Sequence, residues 1–186
     1  MALTYSIPMP LGTPAPVFSL PDTISGKTIA LDALPPAPAT VIMFICNHCP
    51  YVKHLEKELV KVANSYQAKG VNLVAICAND IEQYPEDSPE KMQNHAITLG
   101  FNFPYLYDAS QEVAKAYHAQ CTPEFYIFDQ NLQCRYHGRF DASSPGNTIP
   151  ITGEDFIAAL DAVLSGKPAP QPQEPSMGCN VKWKGK

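Results

Sequence analysis

The ten residues VIMFICNHCP, numbered 41–50, carry the pattern that decides the fold. Val41–Ile45 is a continuous apolar run, which is typical of a strand buried on both faces. A Cys-x-x-Cys pair follows at once, and Pro50 comes next, as a proline does in the first turn of a helix. The sequence therefore predicts that Cys46 and Cys49 lie where a buried strand meets a helix.

The residues after Pro50 extend this arrangement into a strand–helix–strand unit. Apolar residues recur at spacings of three and four, which predicts one face of a helix ending at Lys69-Gly70. These residues are Val52, Leu55, Leu59, Val62 and Tyr66. Val71–Cys77 is a second buried strand. The order and lengths predict a right-handed crossover between two parallel strands.

The junction gives the two cysteines a chemical role. A helix N-terminus offers unpaired amides and the positive end of the helix dipole, and both favour a thiolate. We expect Cys46 near the N-cap with its sulfur facing solvent. Cys49, one turn further on, would be more shielded and close enough to resolve a mixed disulfide. A protonated His48 would stabilise the Cys46 thiolate and make the disulfide more oxidising, unless it is simply a solvent-facing histidine.

The remaining patterns predict one α/β domain with a mixed sheet. The other predicted elements are edge strands at Val17–Leu20 and Thr28–Ala30, a helix from Ser88-Pro89 to Leu99, a short helix capped by Asp108 and Gln111, a hairpin of Phe125–Asp129 and Gln133–His137, and a last helix after a capping-box pattern of Thr152 and Asp155. Residues 1–165 form the predicted domain. Residues 166–186 are predicted as a stiff, extended tail that Trp183 could anchor.

Length and charge narrow the function classes. The chain has 186 residues, 45% of them hydrophobic and 17% charged, as expected for a globular domain with a sizeable core. A formal net charge of −5 argues against partners such as nucleic acid or an anionic membrane surface. The first basic residue is Lys27, which does not fit a secretory signal. We expect a cytoplasmic protein without membrane contact, in which disulfides are mostly transient and catalytic.

Four separated motifs give the chain a resemblance to a known superfamily. They are FICNHCPYVKH (44–54), TPEFYIFD (122–129), HGRFD (137–141) and GCNVKWK (178–184), and GTPAPVFSLPD (12–22) precedes them. With its Cys-x-x-Cys at a strand-to-helix turn and a Thr-Pro opening a hairpin, the chain resembles the thioredoxin superfamily. It is most similar to the redoxin branch, the alkyl hydroperoxide reductase and thiol-specific antioxidant group, and within it to a bacterial "thioredoxin family protein" set.

The resemblance implies a thioredoxin-like fold and a thiol–disulfide oxidoreductase that uses only protein thiols, with no bound cofactor. It makes Cys46 the attacking cysteine and Cys49 the resolving one, with Asn47 and His48 tuning the pair. The implied partners are a protein or small-molecule disulfide as substrate and an unidentified thiol as electron donor.

The same resemblance assigns roles to the Thr-Pro motif. Pro123 would be a cis-proline packed against the disulfide, and the backbone at Thr122 would pair with a substrate strand. Cys121 lies two residues before this proline, so it is a candidate third thiol. Cys179 in the tail is either inert or folds back to Cys121 or to the active site.

Two departures from the family pattern matter for mechanism. Peroxiredoxins carry Thr or Ser three residues before the peroxidatic cysteine and Pro seven before it, whereas Cys46 has Met43 and Ala39 there. Thioredoxins also bury a carboxylate in the strand before the pair, and Val41–Ile45 contains none. Glu124 or a water is therefore our candidate acceptor for the proton of the resolving cysteine.

Two alternatives to disulfide exchange stay open at this point. One is an antioxidant peroxidase of the redoxin kind. The other is a metal-binding module that uses Cys46, Cys49 and His54, although the second Cys-x-x-Cys of a typical zinc site is missing. We also expect the acidic loop Asp80–Asp87 to lie outside the core and to influence partner choice.

Overall fold

A computed structural model describes residues 3–185, and its centre is a five-stranded sheet with helices on both faces. The elements are, in chain order, β1 (Leu3–Tyr5), β2 (Ser19–Pro21), β3 (Thr28–Ala30), β4 (Ala39–Phe44), α1 (Pro50–Gln67), β5 (Asn72–Cys77), α2 (Pro89–Leu99), β6 (Tyr105–Tyr107), α3 (Glu112–Ala116), β7 (Cys121–Thr122), β8 (Glu124–Asp129), β9 (Cys134–Gly138), α4 (Glu154–Leu164) and β10 (Met177–Asn180). The predicted strand–helix–strand unit is confirmed as β4–α1–β5.

The strand order places β4 at the middle of the main sheet. The order is β6-β5-β4-β8-β9, with β4 parallel to β5, β5 parallel to β6, and β8 antiparallel to both β4 and β9. The predicted mixed sheet and the β8–β9 hairpin are thus confirmed. Because β4 is central, the turn that follows it lies at the centre of one edge of the sheet.

Alternation along β4 separates two apolar cores. Val41 and Met43 point into the core covered by α1, α2 and α4, and Ile42 and Phe44 point into the core covered by α3 and the N-terminal segment. All six residues of the strand are buried. A continuous apolar run is therefore required here, since both faces of the strand are covered.

Two predicted helix caps differ from the structure. The N-cap of α4 is Gly153, with φ +69°, and the carboxylate of Asp141 accepts the amides of Thr152 and Gly153. The predicted capping box of Thr152 and Asp155 is therefore wrong, because a distant carboxylate already holds these amides. At α3 the N-cap is Gln111, and Asp108 accepts the amide of Ala114 instead.

The C-terminal segment packs against the rest of the chain. Strand β10 lies between β1 and β7 in a three-stranded antiparallel sheet, and Trp183 packs against the second core. The sequence did not predict strands β1, β6, β7 and β10, which are two to four residues long. Within residues 3–185, no helix is long and apolar enough to cross a membrane.

Candidate active site

The Cys-x-x-Cys turn connects the end of β4 to the start of α1. Helix α1 begins at Pro50, and Cys49 is its N-cap. Cys46 therefore lies in the turn before the helix, and not near the N-cap as expected. Cys49 lies at the start of the helix, and not one turn inside it as expected. The reason is that Pro50, which lacks an amide hydrogen, takes the first helical position.

Both sulfurs are enclosed. Cys46 is 1% exposed and Cys49 is 0% exposed, so the expectation that the Cys46 sulfur faces solvent is wrong. The Cys46 Sγ lies 3.4 Å from the Thr122 Oγ1, and the Cys49 Sγ lies 3.1 Å from the carbonyl oxygen of Thr122, to which it donates when it carries a proton. A substrate can reach this pair only if a covering segment moves.

The residue pair Thr122-Pro123 lies opposite the two cysteines. The peptide bond between them is cis, as the resemblance implied. The backbone of Thr122, however, already pairs with Cys179 of β10, so no edge is left open there for a substrate strand. Gly178 allows this close approach, because a Cβ at that position would overlap the carbonyl oxygen of Thr122.

The two cysteines of the turn differ in their protonation. A hydrogen bond from the Cys46 thiol lowers the pKa of Cys49 to about 5 against the effect of burial, and donors from Cys179, Thr122 and the Val52 amide add to it. The same shared proton, burial and the nearby Asp87 carboxylate raise the pKa of Cys46 well above its usual range. At neutral pH the pair therefore holds one proton and one negative charge, and the two pKa directions favour the charge on Cys49.

The carboxylate beside the pair is Asp87, which the sequence did not single out. It is fully buried, and its Oδ1 accepts the backbone N–H of Asn47 at 2.9 Å and of His48 at 3.2 Å. Its Oδ2 accepts a bond from Asn79 at 2.8 Å. The expectation that Asp80–Asp87 lies outside the core is therefore wrong at its first and last residues, both of which are buried.

Burial alone would raise the pKa of Asp87, but the hydrogen bonds from His48, Asn79 and Asn47 outweigh it and lower that pKa. An ionised carboxylate only accepts hydrogen bonds, so His48 donates its Nδ1–H to Asp87, at 2.6 Å. The imidazole also stacks on Tyr84, with ring centroids 5.0 Å apart. His48 therefore lies against Asp87 and Tyr84, and is not simply solvent-facing.

The Asn47 side chain connects the cysteine turn to the acidic loop and to β6 by hydrogen bonds. Its side-chain amide donates to the carbonyl of Glu86, and its Oδ1 accepts from the hydroxyl of Tyr105. Asn79, which holds Asp87, also accepts the backbone N–H of Lys182 in the tail at 2.9 Å. The acidic loop, the cysteine turn and the tail thus form one hydrogen-bonded unit.

Glu124 does not contact the cysteine pair. One carboxylate oxygen accepts from Tyr126 and contacts His137 Nε2, and the other accepts the amides of Gln120 and Cys121. Its four contacts hold β7 and β8 in place, so its position does not fit a proton acceptor for Cys49. The position of Asp87 in the loop after β5 could have indicated it instead. The carboxyl ends of the parallel strands β4 and β5 lie at the same end of the sheet, so the segments that follow them can meet.

The two accessory cysteines are placed differently. Cys121 is buried, and burial together with Glu124 raises the pKa of its thiol. Cys179 donates a hydrogen bond from its thiol to the Cys49 sulfur, and burial followed by this bond raises the pKa of Cys179 to about 12. The structure therefore brings the tail cysteine to the active pair.

The predicted metal ligands do not come together as a set. His54 contacts the hydroxyl of Ser143, 3.2 Å away, and is not clustered with the cysteines. Among the described residues, Cys46, His48 and Asp87 alone offer three ligand atoms within 4.8 Å of one another. The Nε2 of His48 is buried and has no hydrogen-bond partner in this part of the chain.

A cavity of about 220 Å³ adjoins Pro123 on the side of α1. Tyr5, Tyr51, Arg139 and Met177 contribute to its lining. The two sulfurs do not line it, so the cavity lies next to the pair without reaching it.

The fold and the site together define a thioredoxin-fold protein, with a Cys-x-x-Cys pair at the end of the central strand and a cis-proline opposite. The model of the AhpC/TSA family matches residues 11–137, and the chain belongs to this family of redoxins. No curated protein matches the chain.

Solved structures extend the likeness over the whole chain. A protein from Geobacillus kaustophilus is 57% identical, with a TM-score of 0.97, and the match covers 100% of this chain and 98% of that one. A protein from Sinorhizobium meliloti 1021 is 44% identical, with a TM-score of 0.95 and coverage of 98% and 100%. A thiol:disulfide interchange protein of the thioredoxin family from Chlorobium tepidum TLS, 19% identical with a TM-score of 0.63 and coverage of 84% and 99%, shares the fold.

Proposed function

We propose that this redoxin is a thiol–disulfide oxidoreductase whose redox-active pair is Cys46 and Cys49. The observation that supports this best is the position of the Cys-x-x-Cys turn between β4 and α1, with both sulfurs against Thr122 of the cis Thr122-Pro123 peptide bond. Disulfide exchange needs such a pair, because one thiolate attacks and a second thiol must follow.

The reaction begins when Cys46 passes its proton to Cys49 along their hydrogen bond. The Cys46 thiolate then attacks one sulfur of a substrate disulfide, forming a mixed disulfide and releasing the first substrate thiolate, which takes up a proton from water. Cys49 then attacks the Cys46 sulfur, and its proton goes to the second substrate thiolate, which leaves as a thiol. The protein is left with a Cys46–Cys49 disulfide, the substrate has gained two electrons, and an external thiol donor restores the pair.

His48 and Asp87 act as positioning residues in this scheme. Their contacts fix the turn through two backbone amides, and the carboxylate charge opposes a thiolate on Cys46. The Cys46 thiolate is therefore short-lived in the resting protein and forms when substrate engages it.

The test is a redox titration against glutathione, followed by alkylation of the remaining thiols and mass mapping. We expect a Cys46–Cys49 bridge in the wild-type protein. In Cys49→Ser we expect glutathione to remain attached to Cys46, because the resolving thiol is missing. Cys134→Ala is the matched control, since Cys134 is buried at β9 and should leave the bridge unchanged. If the pair never bridges, either in the wild-type protein or in Cys179→Ser, the proposal is contradicted.

The potential of the bridge decides the direction of the reaction. A value near about −270 mV, as in thioredoxin, would indicate a reductase, and a value nearer about −200 mV would indicate an oxidant or a glutathione-coupled enzyme. Consumption of hydrogen peroxide by the reduced protein, abolished in Cys46→Ser, would favour the peroxidase alternative. Met43 lies where peroxiredoxins carry a hydroxyl, so we expect no such consumption.

Metal binding is the second candidate, and the cluster of Cys46, His48 and Asp87 favours it. A cysteine, a histidine with a carboxylate on its other nitrogen and an unpartnered Nε2 are features of zinc sites. Added zinc would then protect Cys46 from alkylation, and His48→Gln would remove the protection. Unchanged alkylation with zinc would exclude this candidate.

A further inference from the structure

Strand β10 occupies the position that a substrate strand would take beside the cis-proline. It pairs antiparallel with β7, so that Cys179 lies opposite Thr122. On its other side it pairs with β1, where Leu3 lies opposite Cys179. The chain's own tail therefore presents a cysteine to the active pair, much as a bound peptide substrate would present one.

The local contacts bring this cysteine to one particular sulfur. The Cys179 thiol donates its hydrogen bond to Cys49, the sulfur that carries the negative charge. Cys121, on the neighbouring strand, instead directs its sulfur to the carbonyl oxygen of Pro123, at 3.8 Å. Cys179 is thus the thiol outside the Cys-x-x-Cys turn that is placed to react with Cys49.

Three features hold the tail in this place. Gly178 permits contact with the Thr122 carbonyl. The backbone N–H of Lys182 donates a hydrogen bond to Asn79, and Trp183 packs against the second core. Exchange between sulfurs that already share a hydrogen bond needs no transport of the tail. This is the condition under which an intramolecular step is fastest.

We propose that Cys179 is a third redox-active thiol, which forms a disulfide with Cys49 and so links the tail covalently to the active site. This proposal rests on the proposed function. In the oxidised protein the Cys179 thiolate attacks the Cys49 sulfur, the Cys49–Cys179 bond forms and the Cys46–Cys49 bond breaks. The Cys179 proton goes to the released Cys46 thiolate, so the step is an isomerisation that consumes no oxidant.

The consequence is a protected oxidised state. The two-electron oxidation of the protein is then held as a disulfide between the helix N-terminus and β10, and Cys46 is again a thiol. A thiol donor then regenerates the enzyme by reducing Cys49–Cys179. The same bond fixes β10 over the pair, so the oxidised form excludes a second substrate until it has been reduced.

The experiment uses the Cys46→Ser variant of the full chain, with glutathione disulfide as the oxidant. Cys49 first becomes glutathionylated and releases one glutathione, and Cys179 then displaces the second. Trypsin cuts after Lys and Arg except before proline, so Cys49 lies in peptide 28–53 and Cys179 lies alone in peptide 140–182. We expect these two peptides to be joined and the thiol count to fall by two per chain.

Two further variants make the result specific. In Cys46→Ser/Cys179→Ser we expect Cys49 to keep its glutathione and the joined peptide to be lost. In the matched control Cys46→Ser/Cys121→Ser we expect the joined peptide unchanged. Cooperative unfolding of each variant shows that it is folded before the oxidation is read.

The proposal is overturned if Cys46→Ser keeps glutathione on Cys49, or stays fully reduced, under conditions that bridge Cys46 and Cys49 in Cys179→Ser. Failure of the Cys46–Cys49 bridge in Cys179→Ser would overturn the proposed function as well. The Cys179→Ser arm therefore separates the two failures.

Discussion

The loop that carries Asp87 and the strand that carries Cys179 flank the same cysteine turn, but they hold it by different interactions. Asp87 contacts the turn through its carboxylate, which accepts backbone amides and raises the pKa of Cys46. Strand β10 contacts it through main-chain pairing with β7 and through the Cys179 thiol, which lowers the pKa of Cys49. One flank thus opposes charge on the first sulfur and the other favours charge on the second.

The hydrogen bond between the two sulfurs is the largest cause of both pKa shifts, and the difference between the flanks adds to it. The carboxylate on one side and the Cys179 thiol on the other push the two pKa values further apart. Variants that remove one flank at a time test this comparison.

The largest expected effect follows removal of the charged sulfur. The reduced wild-type protein should show one thiolate per chain with a midpoint near pH 5, whereas Cys49→Ser should show none until the pH reaches the range of an ordinary thiol, about 8.5. The fraction of thiolate near pH 6 should therefore fall by about a hundredfold or more. Thiolate absorbance in the ultraviolet measures it, with Cys134→Ala as the control.

The same pKa gives stability a pH dependence with a defined sign. The folded-state pKa of Cys49 lies below its unfolded value, so the folded protein binds fewer protons between the two. Its contribution to the free energy of unfolding is complete above about pH 8.5 and disappears as the pH falls through about 5. A Cys49→Ser protein with the wild-type titration and pH profile would show that the charge lies on another sulfur.

The second-largest expected effect follows a substitution in strand β10. In Gly178→Ala, the new Cβ meets the backbone of Thr122, which cannot move aside as a side chain can. We expect the free energy of unfolding to fall by about 3 kcal/mol, or β10 to detach. If it detaches, Cys179 in peptide 140–182 should be alkylated roughly a hundredfold faster. Denaturant unfolding and timed alkylation measure these changes.

Gly146→Ala is the matched control for this change. The nearest atom to a Cβ there is the Ser144 Oγ at 3.9 Å, so we expect a change within about 0.5 kcal/mol. Equal behaviour of the two glycine variants would show that β10 does not need its close approach to Thr122.

The smallest expected effect follows a substitution of Asp87, in the acidic loop. Asp87→Asn keeps the shape of the side chain but removes the negative charge. That charge strengthens the hydrogen bonds that the carboxylate accepts from two backbone amides, His48 and Asn79. We expect a loss of about 2 kcal/mol in the free energy of unfolding, together with a lower pKa for Cys46. Glu86→Gln, one residue earlier, changes an exposed carboxylate paired with Lys91 and should have little effect. A rise in the pKa of Cys46 on Asp87→Asn would contradict the comparison.

Sequence patterns predicted the parts of the fold in which periodicity is long. The run at Val41–Ile45, the helical face from Val52 to Tyr66 and the β8–β9 hairpin are all present in the structure. Strand β7, only two residues long, carries no period. The division of the chain at residue 166 stays a prediction, although β10 pairs with β1 and β7, which both lie within residues 1–165.

The sequence by itself determined that a Cys-x-x-Cys pair lies between a buried strand and a helix. Apolar runs, helical spacing and proline indicate these elements because each depends only on residues close together in the chain. Only the tertiary structure decided what surrounds the pair. Asp87 reaches Asn47 across 40 positions, and Thr122 reaches Cys46 across 76. Such contacts depend on which strand ends meet at one edge of the sheet and on how the tail pairs, and no local pattern in the chain encodes either.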